Sequence, residues 1–295
     1  MRILTYVAEA QDAGRSVQGV LERELQVSSS LISRLKSRPE GILVNGKKVY
    51  TTYALSPGDR LTASVGDEAP KRKLTPCPMA LDIVYEDEDF LIINKPAGLA
   101  VQPTQNEGEM TLENGLLAYL PEGVYPHPVS RLDRGTTGLM AVGKSGYAHE
   151  LLKRRLHTRD YYREYRGIIP GTITPAAGRI EGGITTEPGS SYKRCVSPAG
   201  APSLTEYETL ETRGGFSLLR LIPRTGRTHQ LRVHLSYAGH PLAGDWLYGE
   251  PREDIQRPAL HSCLLYLRHP LTGEDMTFTA PLPKDMEALL TASPQ

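Results

Sequence analysis

The stretch Ser130-Arg131-Leu132-Asp133-Arg134-Gly135-Thr136-Thr137-Gly138-Leu139-Met140 sets one carboxylate between two arginines, in a turn-rich run that leads into an apolar strand. Nearby positive charge favours the ionised form of a carboxylate, so Asp133 reads as an anion able to attack a carbon or accept a proton if it sits in a cleft. A structural Asp paired with an arginine in a loop is the other reading of the same spacing. A second string, Thr225-Gly226-Arg227-Thr228-His229-Gln230-Leu231-Arg232-Val233-His234-Leu235, is followed by Gly239-His240-Pro241-Leu242-Ala243-Gly244-Asp245. Three histidines within a dozen residues raise a metal site, but no carboxylate completes an H-E-x-x-H pattern and no regular period brings all three together, so no metal is expected. Donors interleaved with Leu231, Val233 and Leu235 fit instead an element with one packed face and another that offers Arg227, Thr228, Gln230 or Arg232 to phosphates and bases. A third string, Tyr161-Tyr162-Arg163-Glu164-Tyr165-Arg166-Gly167, follows Lys153, Arg154, Arg155 and Arg159 and combines stacking surfaces with cations. Tyrosines in such a strand also serve as ordinary core.

These strings need a scaffold. At roughly 100–200 residues per domain, 295 residues suggest two domains. Short strand-like runs dominate from Leu81 onward: Leu81 to Tyr85, Phe90 to Asn94, Leu139 to Gly143, Tyr165 to Ile169, Leu218 to Ile222 and Leu264 to Arg268. Helical patterns appear around Leu112 to Leu120 and Ala148 to Leu156. Without βαβ alternation or an internal repeat, the mixture predicts an α+β body around a mainly antiparallel central sheet with flanking helices and loops. Upstream, Val17, Val20, Leu21 and Leu25 recur at helical spacing, and Ser28 to Ser30 can cap a second helix containing Leu31, Ile32 and Leu35. Asn45-Gly46 between two β-branched runs predicts a hairpin, and Arg60 to Val65 a closing strand. Gly66 to Pro78, rich in charge and proline, reads as a linker.

The chain is formally neutral, with 34 Lys and Arg against 34 Asp and Glu, but residues 1–75 carry 12 basic against 8 acidic residues. That excess suits local contact with a polyanion. Cys77, Cys195 and Cys263 are odd in number and far apart, which argues against a disulfide framework or a thiolate zinc site. No apolar run approaches the ~18 residues of a membrane span and the first ten residues lack a signal pattern, so a cytoplasmic protein without membrane contact is expected.

The three strings, in this order, resemble the catalytic domain of the RluA family of pseudouridine synthases: "SRLDRGTTGLMAVGKS", "REYRGIIPG" and "TGRTHQLRVHLSYAGHPLAGDWLYG", with "YEDEDFLIINKPAGLAVQPT" and "APSLTEYETL" fitting as well. "ILVNGKKV" and "LSPGDRLTASV" resemble the S4 RNA-binding domain. The resemblance implies an S4-like RNA-binding domain over residues 1–66, a linker over 67–79 and a pseudouridine synthase domain over 80–295. It also implies isomerisation of uridine in structured RNA, ribosomal RNA being favoured over transfer RNA, by a monomer that needs no cofactor. The absence of G-x-G-x-x-G and of a P-loop agrees with the last point.

On this resemblance Asp133 is the catalytic carboxylate, Arg232 the cation that lies against it and keeps it ionised and oriented, and Tyr165 the ring that stacks on the flipped uracil. Arg131 fills the gap that the uridine leaves. Arg134, Arg227, Thr228, His229, Gln230 and Lys95 contact substrate, Asp245 supports the site, and Arg34, Lys36, Arg38, Lys47 and Lys48 bind RNA. Two departures from the family pattern are Ser130 and Gln102, each at a position where the family commonly has His. The readings from other classes are a noncatalytic RNA-binding or ribosome-assembly protein, and a glycosidase or nuclease, which the lack of a second carboxylate beside Asp133 disfavours.

Overall fold

The computed structural model describes residues 2–67, 74–103 and 109–291. In the amino-terminal part, β1 (Ile3–Val7), α1 (Val17–Arg23), α2 (Ser29–Ser37), β2 (Ile42–Val44), β3 (Lys47–Lys48) and β4 (Arg60–Ser64) follow one another. The strands form an antiparallel sheet in the order β1-β4-β2-β3. Both helices start as the serines dictate: Ser16 Oγ accepts from Gly19 N and Ser28 Oγ from Leu31 N, supplying partners to amides that the helices leave unpaired. At the β2–β3 turn Asn45 and Gly46 take φ of 50° and 75°, the left-handed conformation that this pair favours.

The body continues with β5 (Ile83–Glu86), β6 (Phe90–Lys95), α3 (Leu112–Tyr119), β7 (His127–Pro128), β8 (Thr137–Gly143), α4 (Gly146–Arg155), β9 (Tyr161–Pro170), β10 (Ala177–Glu181), β11 (Ile184–Thr186) and β12 (Arg194–Val196). It ends with β13 (Leu204–Arg213), β14 (Phe216–Pro223), α5 (Gln230–Tyr237), β15 (Leu260–Arg268), β16 (Asp275–Thr279) and α6 (Lys284–Thr291). Among the described residues ten strands form one sheet whose spine runs β10-β13-β14-β9-β15-β8-β6-β5. Every pairing in it is antiparallel except β8 with β15, so the fold is the expected α+β class. At the parallel crossing, Gly138 has a φ of 109° and a Cβ there would collide with the Ser262 carbonyl, so the second glycine of "RGTTGL" is a packing requirement.

Three differences from the sequence reading stand out. The string beginning at Gln230 forms a helix whose first six residues, Gln230 to Leu235, are all buried, leaving no face of that stretch free. The segment 67–79, expected as a linker, is tied down at both described ends. The Asp67 carboxylate accepts from Gly146 N at 3.0 Å and meets His127 Nε2 at 2.7 Å, while Thr75 O and Cys77 N bond Asn114 of α3. Its residues 68–73 lie outside the described residues. Finally, the amino-terminal core includes Tyr147 and Leu151 of α4, Tyr147 Oη donates to Leu25 O at 2.8 Å, and Arg2 Nη1 grips Asp89 at 2.6 Å.

From sequence alone, deletion of residues 1–66 is expected to spare the catalytic fold. The shared core reverses that expectation. Uncovering two large apolar side chains costs about 1.5–3 kcal/mol each, and Asp89 would lose its cation, a sum comparable to a domain's whole stability. The truncated chain is expected to be insoluble or to melt well below the intact protein, and replacement of Tyr147 and Leu151 by serine to recover solubility. A truncated protein that melts as the intact one does would contradict this account.

Candidate active site

The loop carrying Asp133 is built by alternation. Leu132 points into the core, Asp133 turns outward with 23% of its side chain exposed, and Thr136 N bonds back to Asp133 O at 3.0 Å to close a turn. Two buried cations hold that loop from behind. Lys95 Nζ donates to the carbonyls of Pro96, Leu99 and Arg134 at 2.7, 2.9 and 3.2 Å. Arg257 Nη1 donates to Gly135, Pro258 and Leu260 at 3.3, 3.1 and 3.3 Å, while its Nε and Nη2 grip Asp285 of α6. Burial pushes the Lys95 ammonium down to about 7, with the Asp133 carboxylate pulling the other way. Lys95 therefore works as a backbone strut under the loop, and substrate contact is not where its side chain points.

Opposite this loop stands the start of α5. His229 has a φ of 57°, a left-handed turn that lets the chain enter the helix with Arg232 facing Asp133. Gln230 is consumed internally: its Oε1 accepts from Thr225 Oγ1 and Arg227 N, and its Nε2 donates to Leu204 O and Thr205 Oγ1. Expected at the substrate, it instead welds the loop before α5 to β13, because a buried amide must find partners for all its polar atoms.

Arg232 joins two carboxylates. Its Nε and Nη2 each lie 2.8 Å from an oxygen of Asp245, which is fully buried, and its Nη1 lies 3.1 Å from Asp133 Oδ2. Burial opposes the guanidinium charge, but Asp245 and Asp133 outweigh it and raise Arg232 above its ordinary value. Asp245 is thus the fixed counter-charge that aims Arg232, and Asp133 keeps Oδ1 free toward the cleft.

One side chain at the guanidinium was not foreseen. Tyr248 lies under the guanidinium, 5.0 Å from ring centroid to Arg232 Cζ, and its Oη sits 2.8 Å from His229 Nδ1 while accepting from Arg194 N at 2.9 Å. The phenol thus bridges the Arg194 amide and the His229 ring, and burial pushes it up to about 12. The other ring nitrogen of His229, Nε2, lies 3.8 Å from Asp133 Oδ1. Burial lowers His229 more than the nearby Asp133 raises it. The D-W-L-Y spacing that closes the T-G-R-T-H-Q-L-R motif was the available signal, since Asp245 Oδ1 accepts from Tyr248 N and brings that ring back to the site.

A cleft of about 1430 Å³ surrounds this centre. Its walls include Arg131, Arg134, Arg227, Thr228, His229, Arg232 and Tyr165, and among the described residues carry seven Lys or Arg side chains against two carboxylates, Asp133 and Asp285. Strand period places Tyr161, Arg163 and Tyr165 on one face of β9, and Arg163 and Tyr165 reach the cleft. Ser130 and Gln102 line it too. Arg134 is half exposed and pairs with Glu109. His234 bonds Thr205 Oγ1 and Gly182 O, so it does not converge with His229 on a common point. In the amino-terminal part Arg34, Lys36, Lys47 and Lys48 are exposed, whereas Arg38 turns back to donate to Gly66 O at 2.7 Å. No helix among the described residues is long and apolar enough to cross a membrane.

Residues 89–237 match the family model described as RNA pseudouridylate synthase. The chain is 38% identical over 90% of its length to an uncharacterized RNA pseudouridine synthase, YjbO, of Bacillus subtilis (strain 168), covering 95% of that protein. It is 39% identical over 97% of its length to ribosomal large subunit pseudouridine synthase D of Yersinia pestis, covering 93% of that protein. Among solved structures, human RNA pseudouridylate synthase domain containing 1 superposes with a TM-score of 0.58 at 30% identity, over 71% of this chain and 87% of that one. A cleft with an arginine-held aspartate at its base, lined with cations, and these matches to its sequence agree: the chain belongs to the RluA family of pseudouridine synthases, enzymes that isomerise uridine in RNA.

Proposed function

We propose that this chain converts particular uridines of structured ribosomal RNA to pseudouridine, with Asp133 as the reacting carboxylate and without a cofactor. The observation that carries the reading is the placement of Asp133 Oδ1 at the base of a basic cleft while Arg232, itself locked by Asp245, holds Oδ2. The isomerisation breaks the N1–C1′ bond, turns the base, forms a C5–C1′ bond and loses the proton of C5. Electrons and atoms balance within the nucleoside, apart from that exchanged proton, so no redox partner and no hydrolytic water enter. An anchored carboxylate with one open oxygen serves either route through the first step, attack on C1′ or removal of the C2′ proton.

The remaining residues fall into consistent roles. Tyr165 offers a ring to the flipped uracil, and exposed Arg131 takes the place that the base vacates, since extruding a stacked base costs a few kcal/mol. Arg227 and Thr228 are exposed in the cleft wall and suit phosphate contact. Residues 1–66 form an S4-like module that presents Arg34, Lys36, Lys47 and Lys48 to the RNA, residues 67–79 connect it, and residues 80–295 carry the chemistry. Ribosomal RNA is favoured over transfer RNA by the names of relatives that act on the large subunit.

The test is an RNA bearing tritium at uridine C5. Incubation with large-subunit ribosomal RNA so labelled is expected to release the label to water in stoichiometric amounts at a few positions. If the protein binds cellular RNA yet liberates no tritium from any of it, a noncatalytic RNA-binding role takes the place of this one.

A further inference from the structure

Two large aromatic side chains stand exposed in the wall of the cleft. Trp246, the sole tryptophan, is 59% exposed and Tyr192 is 58% exposed, and among the described residues no other exposed Trp, Tyr or Phe lines it. Leaving so much ring surface in water forfeits the burial that usually stabilises such side chains, which marks the place as one awaiting a partner. The backbones that carry them are firmly set. Trp246 N bonds Gly244 O at 3.0 Å, Gly249 N bonds Asp245 O at 2.7 Å, and Asp245 Oδ1 accepts from Leu247 N and Tyr248 N, so Trp246 rides on the same turn that aims Arg232. Ser190 Oγ accepts from Tyr192 N and Lys193 N, and Arg194 N reaches Tyr248 Oη. The two aromatic turns are thus joined to each other through Tyr248.

What would cover these rings is indicated by their surroundings. Arg131, Lys153, Arg163 and Arg227 share the cleft, and a wall that alternates cations with exposed rings suits a polyanion carrying flat bases better than an apolar partner. The cleft volume of about 1430 Å³ also exceeds the roughly 300–1,000 Å³ of a pocket for a single small ligand, so it has room for more than the reacting nucleotide. Resting on the function proposed above, we propose that Trp246 and Tyr192 form a second base-binding subsite that stacks on unpaired nucleotides flanking the target uridine. The enzyme would then select uridines in loops or locally opened segments by the stacking of their neighbours, in addition to recognising the uridine itself.

Because Trp246 is the sole tryptophan, its emission reports this contact alone. Addition of large-subunit ribosomal RNA to the Asp133→Asn protein, which holds RNA without turnover, is expected to quench that emission in step with filter binding. In the active protein Trp246→Ala is expected to raise KM about tenfold with kcat within about twofold, Tyr192→Leu to act in the same direction, and Trp246→Phe to restore KM to within about threefold. Circular-dichroism melts of each variant separate these effects from unfolding. Emission that stays unchanged at saturating RNA, or a Trp246→Ala enzyme with the wild-type KM, overturns the subsite. Failure of the underlying function shows separately, as absence of tritium release from the unaltered protein, while the quench still judges the stacking.

Discussion

Asp133→Asn is expected to abolish tritium release, by about 10⁴-fold or more, while leaving RNA affinity within about threefold. The asparagine keeps the shape of the side chain and can still accept from Arg232 Nη1, and Arg232 remains locked by Asp245, so the site should stand unaltered around a group that can neither attack C1′ nor take a proton. Affinity survives because positioning comes mainly from phosphate contacts made elsewhere in the cleft. Single-turnover release measured beside filter binding separates the two effects. An Asp133→Asn protein that turns over at the wild-type rate would remove Asp133 from the chemistry altogether.

Asp245→Asn is expected to cost both stability and rate, for one electrostatic reason. Arg232 is only 5% exposed, and Asp245 neutralises it through two 2.8 Å bonds. An amide presents one nitrogen to a guanidinium that also has only donors, so the buried charge keeps only the single 3.1 Å bond to the part-exposed Asp133, at a cost of up to about 3–5 kcal/mol. A guanidinium freed from its clamp also no longer holds Asp133 Oδ2 in place, and a misplacement of that kind costs about 100-fold in rate. Denaturant unfolding and tritium release measured on one preparation give both quantities. Pairing the change with Arg232→Met removes the orphan charge and is expected to recover much of the stability while turnover stays lost. A double variant that regained activity would show that Arg232 serves packing alone.

Some misreadings of the sequence share a cause. Gln230, Lys95 and Arg38 are polar residues in or beside motifs that face RNA, yet each side chain points into the protein and spends its donors on backbone carbonyls. A polar side chain is buried without penalty only where distant groups complete its bonding, and Leu204, Leu99 and Gly66 cannot be recognised as those groups from local pattern. The helix at Gln230 was obscured for the same reason. Its charged positions looked like an exposed face, but Arg232 is neutralised by Asp245 and His234 is bonded to Thr205. The amino-terminal module likewise has a self-consistent pattern, and nothing within residues 1–66 announces that Tyr147 and Leu151 complete its core.

The groups proposed to carry the chemistry, and the fold class, are legible in residue types along the chain: an aspartate between arginines, an arginine in a T-H-Q-L-R string, a tyrosine ending a basic run, and strand and helix periods that predict an α+β sheet. Such features are local, because capping, turn geometry and side-chain periodicity act over a few residues. Which groups meet belongs to the folded state. Asp133 and Arg232 are 99 residues apart, Arg194 and Tyr248 are 54 apart, and Lys95 reaches Arg134 across 39. The sheet order that sets β6 beside β8 brings Lys95 to Arg134, and the other two pairs meet only when α5, β12 and the loops pack on that sheet, where burial makes each charge and hydrogen bond depend on a partner that only the completed packing supplies.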